Sequence, residues 1–286
     1  MRKRVTIGRY VMSQTASAYL NSLLSSYTPV SGYFNSARAH RTGIEVRLDL
    51  WLGVKEMFET GSLSHGTGVS GWSDADYIVS LKGERPTSTT SLTRVKDALA
   101  DKYPKTTVKI RRPAVVCEFA DGAETVEVVP AFSSDSGYWI PDPAGDWMKS
   151  HPKDHNFYVS LANQKHSGGA KKLARLAKVW KYERSVPVSS CYLEMRAAKY
   201  ANSESNWWMP IDLYRYLRDL HSLQLAAMND PTGLGSRFTA VSSASNKEAA
   251  LSKLWTAVAR AEKASDLEHE GKHDAAIAEY KKLFNQ

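Results

Sequence analysis

Long hydrophobic runs and cysteines are both scarce in this sequence of 286 residues. No stretch approaches the roughly 20 apolar residues that a membrane-spanning helix needs, which argues against an integral membrane protein. The N-terminal segment MRKRVTIGRYVMSQTASAYL is basic but lacks a continuous apolar core, which argues against a cleaved signal peptide. Two cysteines, Cys117 and Cys191, are too few for a disulfide framework or a zinc site. We therefore expect a reduced, cytoplasmic protein.

The composition is that of a folded protein with a basic surplus. The chain is 42% hydrophobic and 24% charged, which excludes a disordered protein, a collagen and a coiled-coil rod. It has 38 Lys and Arg residues against 30 Asp and Glu residues, giving a formal net charge of +8. This surplus favours a polyanionic partner such as nucleic acid, an acidic membrane or a phosphorylated small molecule. Composition alone does not choose among these partners.

The order of secondary-structure signals predicts an α+β protein with a mixed sheet, followed by a helical half. Residues 36–58 have apolar side chains at helical spacing and predict one long helix, which the glycine-rich run from Gly61 to Gly71 ends. Residues 74–81 alternate as a strand does, with Asp74 and Asp76 on the same face. A helix is predicted over 91–103, and β-branched runs predict strands over 107–110, 114–119 and 125–132.

Strand signals are expected to end after about residue 135. Helices are predicted over 171–183, 189–201, 210–228, 246–268 and 272–284. We expect two lobes that share a central cleft, one formed by residues 1–135 with its N-terminal helix and the other by residues 136–286.

The segment that carries most chemical information runs from Gly61 to Val79. A Gly61-Ser62 pair at a tight turn offers backbone N–H groups and a hydroxyl, which suit a phosphate. Asp74 and Asp76 lie two residues apart at the start of a strand, so both carboxylates point the same way. Paired hard oxygen ligands of this kind suit Mg²⁺ or Mn²⁺, and a pair of such ions needs bridging carboxylates.

A third carboxylate is expected from a neighbouring strand. Glu127 lies between valines in the middle of a predicted strand, where a charge is costly unless it has a partner or a metal. Asp121-Gly122 is a hairpin signal. If its turn has two central residues, Glu127 lies opposite Val116, with Glu118 on the same face one pair away. Glu118 is therefore the reserve candidate.

The run GSLSHGTGVSGWSDADYIV resembles the signature of the DNA polymerase β-like nucleotidyltransferase superfamily. Within it, the likeness is to the bacterial cyclic-oligonucleotide synthases, relatives of cyclic GMP–AMP synthase and oligoadenylate synthase. The matching residues are Gly61-Ser62, Gly66-Thr67 and Ser73-Asp74-Ala75-Asp76. Further along, ARLAKVW, SSCYLE and DPTGLG resemble the family's later helices and loop. The resemblance runs from about residue 36 to residue 286.

The resemblance implies a polymerase β-like catalytic core over residues 1–135 and a C-terminal helical domain over residues 136–286. It implies two Mg²⁺ (or Mn²⁺) ions at Asp74, Asp76 and Glu127, where the family usually has Asp at the third position. The residues that it places at the donor nucleotide are Gly61, Ser62, Ser73, Lys178 and Ser190. The implied reaction joins ribonucleoside triphosphates, such as ATP, into a cyclic di- or oligonucleotide and releases pyrophosphate. In the family this product is a second messenger of anti-phage signalling that binds a separate effector.

Two other functions remain open from the sequence. Nucleotide transfer to an RNA 3′ end or to a protein keeps the same fold, and the charge of +8 mildly favours a polymer acceptor. The third possibility is a non-catalytic nucleotide or RNA sensor whose catalytic site has been lost, with Glu127 as the first sign of that loss.

Several other residues have both a functional and an ordinary interpretation. Lys171, Arg175 and Lys178 form a helical stripe that suits phosphates or a solvated face. A nucleic-acid-binding face would explain Lys109, Arg111 and Arg112, but edge strands also commonly carry basic side chains. Trp72 and Tyr182 are candidates to stack on a nucleobase, and His151 and His155 are expected at the surface.

Overall fold

The computed structural model describes residues 14–30, 32, 34–120, 124–235 and 237–286. Its helices are α1 (Ala16–Tyr27), α2 (Asn35–Leu52), α3 (Gly61–His65), α4 (Ser88–Lys102), α5 (Pro152–Lys165), α6 (Gly169–Glu183), α7 (Ser190–Ser203), α8 (Met209–Ser222), α9 (Ala244–His269) and α10 (His273–Phe284). Its strands are β1 (Val54–Thr60), β2 (Ala75–Leu81), β3 (Thr107–Arg111), β4 (Ala114–Phe119), β5 (Glu124–Ser133), β6 (Tyr138–Pro141) and β7 (Trp147–Ser150).

The strands form one mixed sheet, as the sequence predicts. Its order is β1-β2-β5-β4-β3, and β6 and β7 extend it from the end of β5. Strands β2 and β5 run parallel, whereas the other neighbouring pairs are antiparallel. Because β2 and β5 are parallel, their amino-terminal halves meet at the same edge of the sheet. The α+β class with a mixed sheet is confirmed.

The alternation of β2 separates an apolar face from an acidic one. Ala75, Tyr77 and Val79 are fully buried against α2 and α4. Ile78 points the other way and packs with Val129 of β5 in a smaller cluster. Asp76 of β2 therefore lies on the face opposite the main core, as the alternation predicts.

The helical half forms a second hydrophobic core, which draws on both ends of the chain. Leu20 and Leu24 of α1 are buried in the same cluster as Leu176 of α6, Leu217 of α8 and Phe284 of α10. Helix α1 thus packs with the C-terminal helices, although it precedes the sheet in sequence. The domain boundary at residue 135 stays a prediction.

The prediction of one long helix over residues 36–58 is wrong. Helix α2 ends at Leu52, because Gly53 follows it with a φ of 71° and donates its N–H to the carbonyl of Asp49. The Asp49 side chain then accepts the N–H of Val54, where strand β1 begins. The Gly61-Ser62 pair consequently follows a strand and opens the short helix α3.

The expectation that strands end after about residue 135 is also wrong. Strands β6 and β7 pair with each other, and Trp139 of β6 pairs with Phe132 of β5. Each has four residues, which is too short for alternation to be recognised. The helix predicted over 210–228 ends at Ser222, because Gln224 and Leu225 take positive φ angles.

The strand pairing predicted for the third carboxylate is confirmed. Strands β4 and β5 are antiparallel, and Val116 lies opposite Glu127. The Asp121-Gly122 turn itself lies outside the described residues.

His151 and His155 are buried, contrary to the expectation that they lie at the surface. Nε2 of His155 lies 2.7 Å from Oδ2 of Asp230, so the loop at Asp230 is tied to helix α5. In the described parts of the chain, none of the helices has the length and apolar character that crossing a membrane requires.

Candidate active site

Three carboxylates gather at one edge of the sheet. Asp76 of β2 is the direct neighbour of Glu127 in the parallel strand β5. Asp74 lies two residues before Asp76, immediately ahead of β2. The Asp74 side chain is 31% exposed and the Glu127 side chain is 19% exposed, so the group is partly shielded from water. The structure thus brings together the three acids that the sequence predicts.

Burial and mutual repulsion disfavour the ionised forms of Asp74 and Asp76. Burial, followed by the negative charge of Glu127, raises the pKa of Asp74 to about 6. Burial and the charges of Glu127 and Asp74 raise the pKa of Asp76 well above its ordinary value. Like charges that are crowded in this way favour a bound cation or a retained proton.

A cation from the protein already contacts two of these acids. One terminal nitrogen of Arg111, the last residue of β3, donates to Oδ2 of Asp74 at 3.2 Å and also to Oε1 of Glu127. Glu118, the reserve candidate for the third carboxylate, instead pairs with Lys109. The structure therefore favours Glu127 over Glu118 as the third member of the group.

The chemistry of the donor set fits a divalent cation of the Mg²⁺ type. Asp74, Asp76 and Glu127 supply hard carboxylate oxygens, and burial followed by the charge of Glu127 raises the pKa of both aspartates. Within the described ranges, however, no three His, Cys, Asp or Glu side chains stand in a ligand arrangement. The Arg111 guanidinium contacts two of the carboxylates, and their oxygens are turned toward it.

The glycine-serine turn lies directly against these acids. Gly61 follows β1 with a φ of 59° and begins α3. A β-carbon at this position would overlap Oδ2 of Asp76, so only glycine lets the turn approach the carboxylate. Ser62 is thereby held next to the acidic group.

The loop that follows is closed by its own residues and by helix α6. The hydroxyl of Ser73 accepts the N–H of Val69 at 2.9 Å, and this bond fixes the loop just before Asp74. Arg175 of α6 donates to the carbonyls of Gly68 at 2.8 Å and Gly66 at 2.7 Å. The basic stripe of α6 is thus turned toward the glycine-rich loop.

Lys178 lies in a buried network. Its Nζ is 2.5 Å from Oε2 of Glu194 and 2.9 Å from Oγ1 of Thr67, and the Lys178 residue is 1% exposed. Thr67 donates to Glu194 at 2.7 Å, and His65 contacts the other oxygen of the same carboxylate. Although burial raises it, the Glu194 pKa is held well below its ordinary value by Lys178 and His65. In this structure Lys178 therefore contacts the glycine-rich loop rather than an open surface.

Ser190 lies at the first turn of α7 beside a half-buried cation and a pair of aromatic rings. Lys181 donates to the Ser190 hydroxyl at 2.5 Å. Burial, and secondarily the charge of Lys178, lower the pKa of Lys181 to about 8. Tyr182 lies 3.2 Å from the same hydroxyl and stacks on Trp72, with ring centroids 4.9 Å apart. The two aromatic residues singled out in the sequence thus contact each other.

Sequence reasoning missed three of these residues as parts of the site. Glu194 lies within the SSCYLE segment, but a glutamate on a helix carries no signal of burial. Lys181 follows Lys178 by one helical turn, and nothing in the sequence distinguishes it from other lysines of the same helix. Arg111 is one of three basic residues within the four residues 109–112, and only the folded sheet shows that it reaches the acids.

A family model matches more than half of the chain. The model describes a Second Messenger Oligonucleotide or Dinucleotide Synthetase domain and covers residues 13–163. A probable cyclic nucleotide synthase of Bacillus cereus (strain VD146) is 28% identical over 172 residues. That match covers 56% of this chain and 52% of the relative, so it spans about half the length of the curated protein.

Solved structures of similar fold cover nearly the whole chain. CdnC of Escherichia coli MS115-1 with ATP has a TM-score of 0.73 at 17% identity, covering 94% of this chain and 97% of its own. The CD-NTase CdnG of Bradyrhizobium diazoefficiens with GTP has a TM-score of 0.68 at 14% identity, covering 94% of this chain and 98% of its own. The Vibrio cholerae di-nucleotide cyclase has a TM-score of 0.69 at 11% identity, covering 92% of each chain. With the fold shared and the domain model matched, the chain belongs to the family of Second Messenger Oligonucleotide or Dinucleotide Synthetase domains.

Proposed function

We propose that this chain is a metal-dependent nucleotidyltransferase that joins ribonucleoside triphosphates into a cyclic di- or oligonucleotide and releases pyrophosphate. The observation that carries the proposal is the meeting of Asp74, Asp76 and Glu127 beside the Gly61-Ser62 turn. A carboxylate group next to a glycine-serine turn suits a metal-bound triphosphate. Membership of the family supports the same activity.

The protein contributes positioning and electrostatics to this reaction. Gly61 and Ser62 hold the donor phosphates at the acidic edge, and Ser73 fixes the loop that presents Asp74. Mg²⁺ or Mn²⁺, two ions held by Asp74, Asp76 and Glu127, would neutralise charge at the α-phosphate and favour attack by an acceptor hydroxyl. A correctly oriented acceptor then reacts in line with the departing pyrophosphate.

Two cations have different tasks in this proposal. Lys178 fixes the glycine-rich loop through Thr67 and Glu194. Its predicted contact with the donor phosphates requires the ion pair between Lys178 and Glu194 to open. Lys181 is half-buried beside Ser190 and is the better placed of the two to meet a phosphate directly.

The substrates and the biological setting follow from the relatives. Similar structures hold ATP or GTP, so we propose ribonucleoside triphosphates of this kind as substrates. We also propose that the product acts in the cytoplasm as a second messenger of anti-phage signalling and binds a separate effector protein.

The test is incubation of the purified protein with all four ribonucleoside triphosphates and Mg²⁺ or Mn²⁺, with products identified by mass spectrometry. We expect a phosphatase-resistant cyclic oligonucleotide that disappears in an Asp74→Ala, Asp76→Ala double variant. Linear products that form only when RNA is added would contradict the cyclic product and support transfer to an RNA 3′ end. Nucleotide binding without turnover under any of these conditions would support a sensor.

A further inference from the structure

Arg111 contacts the acidic group from the solvent side. Its side chain is 57% exposed, whereas those of Asp74 and Glu127 are 31% and 19% exposed. A single guanidinium nitrogen donates to both carboxylates. A positive charge in this position occupies the space between two oxygens that a divalent cation would also use.

The neighbouring cations of this strand have other partners. Lys109 pairs with Glu118, and Arg112 donates to Ser88, Thr89 and the carbonyl of Asp142. The contact of Arg111 with the acids is therefore particular to that residue rather than a general property of a basic edge strand.

The contact also bears on how the acids could hold a metal ion. Asp74 and Glu127 turn an oxygen toward the same guanidinium nitrogen, and no cluster of three metal-ligating side chains is formed among the described residues. Arginine keeps its charge at all ordinary pH values, so the guanidinium itself does not titrate. While the acids are ionised, the contact is released by a competing cation, or by a competing anion for Arg111 itself.

We propose that Arg111 is a displaceable internal counter-ion, which neutralises Asp74 and Glu127 in the metal-free protein and must leave them when a divalent cation binds. This inference rests on the proposed function only in placing the metal at these acids. Arg111 then lowers the affinity of the free protein for metal and protects it from repulsion among its own carboxylates.

The test compares Mn²⁺ binding without nucleotide, measured as free Mn²⁺ by electron paramagnetic resonance, in the wild type and in Arg111→Ala. We expect the variant to bind Mn²⁺ about tenfold more tightly, because charge-assisted contacts worth more than about 1.4 kcal/mol no longer compete. Arg111→Lys retains the charge but not the forked geometry, and is expected to fall between the two. The gain should vanish when Asp76→Asn is added to Arg111→Ala.

The matched control is Lys109→Ala, which removes the same charge from the same strand but leaves the contact of Arg111 intact. Its Mn²⁺ affinity should stay at the wild-type value. In EDTA, Arg111→Ala should melt at a lower temperature than the wild type and gain more from added Mn²⁺, which also verifies that it folds. Equal or weaker Mn²⁺ binding by Arg111→Ala, including no binding by either protein, overturns the inference. None of these readouts uses catalysis, so a failure of the proposed synthase activity is seen separately.

Discussion

The α-carbon of Gly61 lies so close to the Asp76 carboxylate that a β-carbon there would overlap Oδ2. This contact joins the Gly61-Ser62 turn to the acidic group, because Gly61 begins α3 and Asp76 belongs to β2. The positive φ of Gly61, 59°, adds a second reason for glycine at this position. The turn and the acid therefore form one unit of structure, although fourteen residues separate Gly61 from Asp76 along the chain.

Gly61→Ala should remove activity while leaving most of the fold intact. The added methyl group must displace Asp76 or the turn, and a displacement of about 1 Å at a reacting centre can cost about 100-fold in rate. The left-handed backbone adds a cost of about 1–2 kcal/mol to folding. The measurement is the rate of pyrophosphate release together with the unfolding free energy.

The control for Gly61→Ala is Gly83→Ala. Gly83 also has a positive φ, 81°, but a β-carbon there meets nothing within 4 Å. Gly83→Ala should lower the unfolding free energy by a similar amount and leave the rate of pyrophosphate release unchanged. A normal rate for Gly61→Ala would show that the turn does not depend on its contact with Asp76.

Asp74→Asn should stabilise the metal-free protein at neutral and higher pH. Folding raises the pKa of Asp74 from 3.8 to about 6 through burial and the charge of Glu127. Such a group contributes stability that is complete below the unfolded pKa and is lost as pH rises through about 6. The asparagine variant avoids this loss, so its melting temperature in EDTA should exceed that of the wild type at pH 8 and equal it near pH 4.

Melting temperature as a function of pH checks this prediction, with about 2–4 °C expected for each kcal/mol in a chain of this size. Asp97→Asn serves as the control, since Asp97 is an exposed carboxylate of α4. If the wild type were more stable than Asp74→Asn at pH 8, the ion pair of Asp74 with Arg111 would stabilise the fold by more than burial and repulsion destabilise it.

Glu194→Gln should destabilise the fold strongly. The substitution leaves the Lys178 charge buried without its counter-ion, and breaking a buried pair costs about 3–5 kcal/mol. Glu270→Gln is the control, because the Glu270 pair with Lys272 is exposed and exposed pairs contribute little to stability. The measurement is the urea dependence of unfolding. Equal, small costs for both variants would show that the network does not hold the glycine-rich loop.

Nucleotide affinity should fall as pH rises through about 8. Burial, with a smaller effect of Lys178, lowers the pKa of Lys181 to about 8, so this side chain loses its charge above that pH. A neutral amine attracts a triphosphate less than an ammonium group does. Calorimetric titration with a non-hydrolysable nucleotide between pH 7 and pH 9 measures the effect. In Lys181→Arg the charge persists and the fall should be smaller; an identical fall in both proteins would assign it to another group.

The sequence predicts the sheet well where its strands are long and alternate. The acidic and apolar faces of β2 and the register between β4 and β5 follow from side-chain alternation. It fails at β1, because Val54–Thr60 continues the apolar spacing of α2 and only Gly53 marks the boundary. It also fails at β6 and β7, where four residues are too few for a period.

The acidic group was predictable, whereas its neighbours were not. Asp74 and Asp76 follow from a strand pattern, and Glu127 from the cost of a charge between valines. The burial of Lys178 depends on Glu194, which lies on another helix and meets it only in the fold. Arg111 likewise reaches Glu127 across β4, and Asp74 across β4 and β5, contacts that no local spacing contains.

The most direct test of the site compares Glu127→Gln with Glu118→Gln, two equivalent changes on neighbouring strands. Both variants are incubated with the four ribonucleoside triphosphates and Mg²⁺, and pyrophosphate and cyclic product are measured together. Because Glu127 lies beside Asp76 and Glu118 is paired with Lys109, Glu127→Gln should lose both products and Glu118→Gln should keep them. Retained synthesis by Glu127→Gln, or its loss only in Glu118→Gln, would contradict the assignment of Asp74, Asp76 and Glu127 as the catalytic acids.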